Sequence, residues 1–381
     1  MVPTEVGVIE NTNVSVRLAL LFYKNLLKTI MGNAQSYMAA SLTVCSAYLL
    51  YVYIYCSHML LKTNVLNNER LPSLVYLYIK YLSKVLTGRT GCLYTPATAK
   101  CEVVYTVLKC RLETPMLRRF CSAAGYGWDY PDTEYRDIPL CFPQFLCQRL
   151  LLMVLTDGNF RLSPAGLVCV HQSLKTLQPV DELKKGLFTL QVRVLEYWQT
   201  DAGVEVDVCL SAISRTGCPV WESVLTLLSK NKLRKASRCL MRKENESQPD
   251  EPMPENVKQV ELRVPRTADL QCVWSFSDFS PCQLLYLPVR LFGCRSHTSP
   301  NLWMLSVCLA EIEKHKGVGV ITAPINITAQ FKEPLPVPDR VTIKFWETTK
   351  SQGESCAQCL HFLMQQHGTN MSHMMGLISR S

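Results

Sequence analysis

Ser280 and Gln283 follow Asp278 by two and five residues around Pro281 in "WSFSDFSPCQLLYLPVRLFG", residues 274–293, framing an acid–base loop with one titratable member. A carboxylate such as Asp278 takes a proton from a bound water. Glutamine holds a water but exchanges no proton near neutral pH, so Gln283 cannot share that work as a histidine would. His297 lies on the loop that leads to the next helix and is the candidate imidazole for this role. Arg290, in "RLFG", either packs or meets a phosphate. His171 and His315 are less well placed, and His315 falls in a basic helix C-terminus where an imidazole suits the helix dipole. Cys356 and Cys359 form a CxxC pair without a second pair or a histidine ligand beside it, so neither a metal site nor a cofactor is expected. P-loop, GxGxxG, GxSxG and HExxH patterns are absent.

The flanking sequence describes the scaffold that must hold these residues. "SPNLWMLSVCLAEIEKHKG" reads as a helix with Ser299 as N-cap, Pro300 in the first turn and a stripe of Leu302, Leu305, Leu309 and Ile312. Lys314 and Lys316 occupy its last turn and Gly317 its C-cap. "VKQVELRVP" precedes it as a strand, and "VGVIT", "INITAQF", "DRVTIKFWE" and "QCLHFLMQQ" follow as strands, with a turn at "KSQGES". The first half has the same order. "FPQFLCQRLLLMVLTDG" is apolar at helical spacing, and "LFTLQVRVLEYWQT", "VEVDVCLSAIS" and "GCPVWESVLTLLS" alternate as strands, with Val204, Val206, Val208 and Leu210 on one face. A helix followed by an antiparallel meander, occurring twice, predicts an α+β body of two layers packed sheet to sheet, with residues 142–156 and 299–316 lying across the two sheets.

Across 381 residues, 48% apolar and 19% charged content supports a sizeable core, and a net charge of +9 spread along the chain gives nucleic-acid binding no support. Eighteen irregularly spaced cysteines, many in apolar runs, read as reduced thiols in a cytosol-facing protein. Residues 33–62 contain no Asp, Glu, Lys or Arg before Lys62 and predict a transmembrane anchor after an N-terminal flank at 1–32. The expected localisation is a single-pass membrane protein with its globular part on the cytosolic face. An amphipathic connector follows at 63–94, containing the helix "LPSLVYLYIKYLSKVL". A linker at 231–256, basic and then acidic and proline-rich, separates a first domain at 95–230 from a second at 257–381.

With these segments in place, residues 95–380 resemble the MaoC-like double-hotdog 3-hydroxyacyl-thioester dehydratases and (R)-specific enoyl-CoA hydratases. The likeness is carried by "CFPQFLCQRLLL" and "FRLSPAGLVCVHQSL" in the first half, and by "SFSDFSPCQLLYLPVRLFG", "LWMLSVCLAEI" and "ITAQFKEPLPVPDRVTIKFWE" in the second. The resemblance implies two antiparallel sheets, each wrapped around a central helix, behind the N-terminal transmembrane helix. It places Asp278 at the catalytic aspartate, Ser280 at the motif asparagine and Gln283 at the catalytic histidine. The family's His-Gly at the start of the central helix is Pro300-Asn301 here, and a proline offers no N–H to a thioester carbonyl. Asn301 and Arg290 are the expected substrate contacts. The expected partners are an acyl-CoA or acyl-carrier-protein thioester, the membrane and a second copy of the chain in a homodimer. The activity, if retained, is hydration of trans-2-enoyl thioesters on a degenerate site; the alternative is a non-catalytic acyl-thioester binder.

Overall fold

The computed structural model describes residues 38, 41–46, 48, 51–94, 102–132, 138–230, 257–264, 301–336, 339–350 and 357–380. The chain divides into two units, Met1–Met59 and Leu60–Ser381. Among the described residues one helix, α1 (Ser41–Leu60), is long and apolar enough to cross a membrane by length and composition; all of it but Leu60 lies in the first unit.

The second unit is built on one sheet of eleven strands among the described residues. Its first half contains β1 (Val65–Asn67), α2 (Leu74–Thr87), β2 (Val104–Cys110) and α3 (Thr114–Ala123). Next come α4 (Phe142–Leu146), α5 (Gln148–Thr156), β3 (Leu167–Thr176), β4 (Phe188–Thr200), β5 (Gly203–Ile213) and β6 (Pro219–Lys230). Its second half contains β7 (Lys258–Val264), α6 (Asn301–Lys316), β8 (Ile325–Phe331), β9 (Asp339–Lys350), β10 (Ala357–Gln366) and β11 (Ser372–Arg380). The strand order is β1-β2-β4-β5-β6-β3-β8-β11-β10-β9-β7. All pairings are antiparallel except β1 with β2.

This order corrects the expected sheet-to-sheet packing: the halves join edge to edge, through β3 and β8. Each is the end strand of its own half, and an end strand carries a row of unpaired N–H and C=O groups. Antiparallel pairing from His171–Gln330 to Thr176–Ile325 satisfies both rows and sets Leu174 beside Ile327, both fully buried. The alternation read in β5 holds, with Val204, Val206, Val208 and Leu210 all in the core, and β8 alternates in the same way, burying Ile325, Ile327, Ala329 and Phe331.

Two local expectations change. The helix of residues 142–156 is two pieces meeting at Cys147, whose N–H is shared between the Pro143 and Gln144 carbonyls, a bifurcation that tightens the turn. "VGVIT" is no strand: Val318–Val320 is a single 3-10 turn, because Gly317 ends α6 at φ +83° with its N–H on the Glu313 carbonyl and redirects the chain at once. Helix α6 is buried on all sides from Leu302 to Glu313, where the sequence predicted one apolar stripe.

Candidate functional site

The start of α6 is the described part of the predicted site, and the first half of the chain holds it. Strand β3 carries a bulge after Cys169: Cys169 pairs with Leu227 and His171 with Thr226 on β6, so Val170 is the extra residue. The β3–β8 ladder ends at His171–Gln330, leaving Cys169 beyond it. There the Asn301 side-chain amide donates to the Cys169 carbonyl at 2.9 Å. Only the nitrogen end of an amide can face a carbonyl oxygen, so this contact fixes the orientation of the Asn301 side chain. Burial pushes the Cys169 thiol up to about 12, against opposing hydrogen bonds from Asn301 and the His171 backbone.

Further along α6, the Trp303 indole N–H donates to the Ala123 carbonyl at the end of α3, at 2.9 Å. Near its C-terminus the Tyr130 hydroxyl donates to the buried Glu313 carboxylate, 2.9 and 3.1 Å from its two oxygens. The far end leans on the second half, where the His315 ring lies 5.9 Å from Phe345 and Lys316 pairs with Glu347 at 2.6 Å. The central helix of the second half is therefore clamped between α3, the segment around Tyr130 and strand β9.

The thiols around this helix are chemically quiet. Burial raises Cys141, which lies against Ser306, to about 12, and it raises Cys121, with Glu313 adding to the effect, to about 12. Cys308 is raised further, by burial first and then by Glu311 and Cys141. A thiol held protonated near neutral pH is a poor nucleophile, so these cysteines act as small core residues.

Solved structures share the overall fold. HtdX of Mycobacterium tuberculosis is 15% identical, with a TM-score of 0.51 over 72% of this chain and 98% of its own. A MaoC-like dehydratase from Phytophthora capsici is 15% identical, with a TM-score of 0.52 over 79% of this chain and 98% of its own. A further MaoC-like dehydratase is 10% identical, with a TM-score of 0.54 over 73% of this chain and 97% of its own. This is the fold of the MaoC-like dehydratases. No protein-family model and no curated protein matches the chain.

Within that MaoC-like fold, Asn301 is the one predicted site residue among those described. Asp278, Ser280, Gln283, Arg290 and His297 lie outside the described residues, as do Ser299, Pro300, Cys356 and the 231–256 linker. His171 sits on β3 two residues past Cys169, at the seam.

Sequence reasoning missed a buried polar group next to this seam. The Gln172 side-chain amide donates to Gln144 Oε1 at 2.6 Å and to the Ser223 hydroxyl at 3.2 Å, tying α4 to β3 and β6. Gln172 Oε1 has no hydrogen-bond partner although it is buried. Its signal was in the strand period: Gln172 occupies the same phase as Leu174 and Thr176, so it had to face the core.

Proposed function

We propose that this is a membrane-anchored MaoC-like protein that binds an acyl thioester, carried on CoA or on an acyl-carrier protein, and hydrates its trans-2-enoyl form slowly. The observation that carries this reading is the fixed start of α6. Asn301 is anchored on the β3 bulge, beside the seam of the two halves; the first N–H groups of a helix lack intrahelical partners and can polarise a carbonyl bound there. The sequence just ahead of it supplies Asp278 as the proton acceptor for water and Gln283 as a water-holding group. Replacing a proton-transferring histidine with glutamine removes a contribution of about 10² to 10⁴ in rate. Helix α1 serves as the single membrane span, with the larger unit on the cytosolic side.

A second reading, a binder without turnover, is favoured by the same Gln283 and by Pro300, which contributes no N–H to polarise a thioester carbonyl. One experiment separates the two. In the full-length chain, Gln283→His with Ser280→Asn restores a titratable partner to Asp278, and crotonyl-CoA hydration is expected to rise by about a hundredfold or more. Adding Asp278→Asn is expected to remove that gain. If the double substitution binds acyl-CoA and gains nothing, the slow-hydratase reading fails and the binder reading stands.

A further inference from the structure

Helix α2 leaves an apolar face outward while its two lysines turn inward, the reverse of a helix on a water-facing surface. Val75 is 61% exposed, Ile79 51% and Leu86 83%, at spacings that put them, with Leu82, on one helical face. On the inner side Tyr76, Leu77 and Tyr81 are buried. Lys84 also turns inward: its ammonium donates to the Asp157 carbonyl at the end of α5 and lies 5.9 Å from the Phe160 ring. The Asp157 side chain takes the Tyr105 hydroxyl at 2.5 Å and the Asn159 N–H at 2.7 Å. Burial lowers Lys80 and takes Lys84 down to about 8; the Asp157 charge opposes this in both. A helix that keeps lysines partly desolvated while leaving valine, isoleucine and leucine uncovered has an outer face suited to hydrocarbon.

The same stretch of chain identifies what covers that face. Only residues 61–73 separate α2 from the end of α1 at Leu60, so a chain that crosses a bilayer with α1 returns α2 within short reach of its surface. Between residues 61 and 94 the charges are Lys62, Arg70, Lys80, Lys84 and Arg89 against Glu69, and Lys62, Arg70 and Arg89 are exposed. Basic residues flanking an apolar helical face match the headgroup region of an anionic leaflet.

We infer that α2 is an interfacial helix, seated with Val75, Ile79, Leu82 and Leu86 in the acyl-chain boundary of an anionic phospholipid bilayer. This rests on reading α1 as the membrane span. It makes the globular unit lie on the membrane, where an acyl chain leaving or entering the lipid meets it directly.

The test uses the full-length chain, reconstituted in phosphatidylcholine–phosphatidylserine vesicles, with a benzophenone amino acid placed at position 79, 86 or, as a control, 332, an exposed site after β8. Flotation with the vesicles reads the span, and the photo-adduct reads α2. Phospholipid adducts at 79 and 86, lost at 332, are the expected result. Flotation without a lipid adduct overturns the inference while leaving the span intact. A cross-linked dimer from 79 or 86 overturns it in favour of a second copy of the chain. Failure to float overturns both readings.

Discussion

Replacing Asn301 tests whether the start of α6 is set by its bond to β3. The Asn301 amide donates to the Cys169 carbonyl at 2.9 Å, in a partly buried place beyond the end of the β3–β8 ladder. Asn301→Ala removes a neutral hydrogen bond and leaves that carbonyl without its donor, a loss of about 1–2 kcal/mol. Asn301→Asp keeps the shape but sets an anionic oxygen against the carbonyl oxygen, so it costs more than alanine does despite being nearly isosteric. Thermal melting of the full-length protein in detergent measures both, and about 1.4 kcal/mol corresponds to a tenfold change in any equilibrium coupled to the helix start. Acyl-CoA affinity is therefore expected to weaken in the same order, aspartate more than alanine. An Asn301→Asp protein that melts with the parent and binds acyl-CoA equally well would refute the reasoning, because the donor would then be dispensable.

Three more outcomes follow from the packing. Tyr130→Phe strips a donor from the buried Glu313 carboxylate and is expected to destabilise the protein by about 1.5–3 kcal/mol in chemical denaturation. Gly376→Ala puts a Cβ 2.3 Å from Phe362 Cζ and 2.5 Å from the Thr328 carbonyl, so it is expected to lower the melting temperature through overpacking of about 1–3 kcal/mol. Burial raises the thiols of Cys110 and Cys209 from 9.0 to about 11 and that of Cys169 to about 12, so the folded state keeps protons that the unfolded chain releases. Their stabilising contribution is whole below about pH 9 and is lost as pH rises through the folded values. Calorimetry under reducing conditions should show stability falling above pH 9, and Cys110→Ser should reduce the slope.

Much of the scaffold was legible because its signals are periodic. The alternation of β5 and β8 and the glycine at the end of α6 announce themselves through spacing alone, and all lie where expected. Strand β11 did not, since "SHMMGLISR" holds a glycine and two methionines and lacks a run of β-branched residues; it forms because β8 and β10 each offer it an edge. The seam between β3 and β8 was illegible for a related reason: pairing across sequence distance depends on which edges remain open, and no local pattern records that. Helix α6 showed a stripe, yet it is buried all round, because α3 and the Tyr130 segment cover the side that a single-half view leaves to solvent. For the site, Asp278 and Gln283 are expectations from residue type that lie outside the described residues, while the hold on Asn301 by a carbonyl 132 residues away required the fold.

The most direct measurement of the central proposal is made on the unaltered full-length chain in detergent, with equilibrium binding of a saturated acyl-CoA and turnover of crotonyl-CoA followed on the same preparation. Saturable binding is expected, with hydration at least about two decades slower than that of the Gln283→His, Ser280→Asn protein. Hydration by the unaltered chain as fast as by that variant, and abolished by Asp278→Asn, would contradict it, as would the absence of acyl-CoA binding by a folded protein.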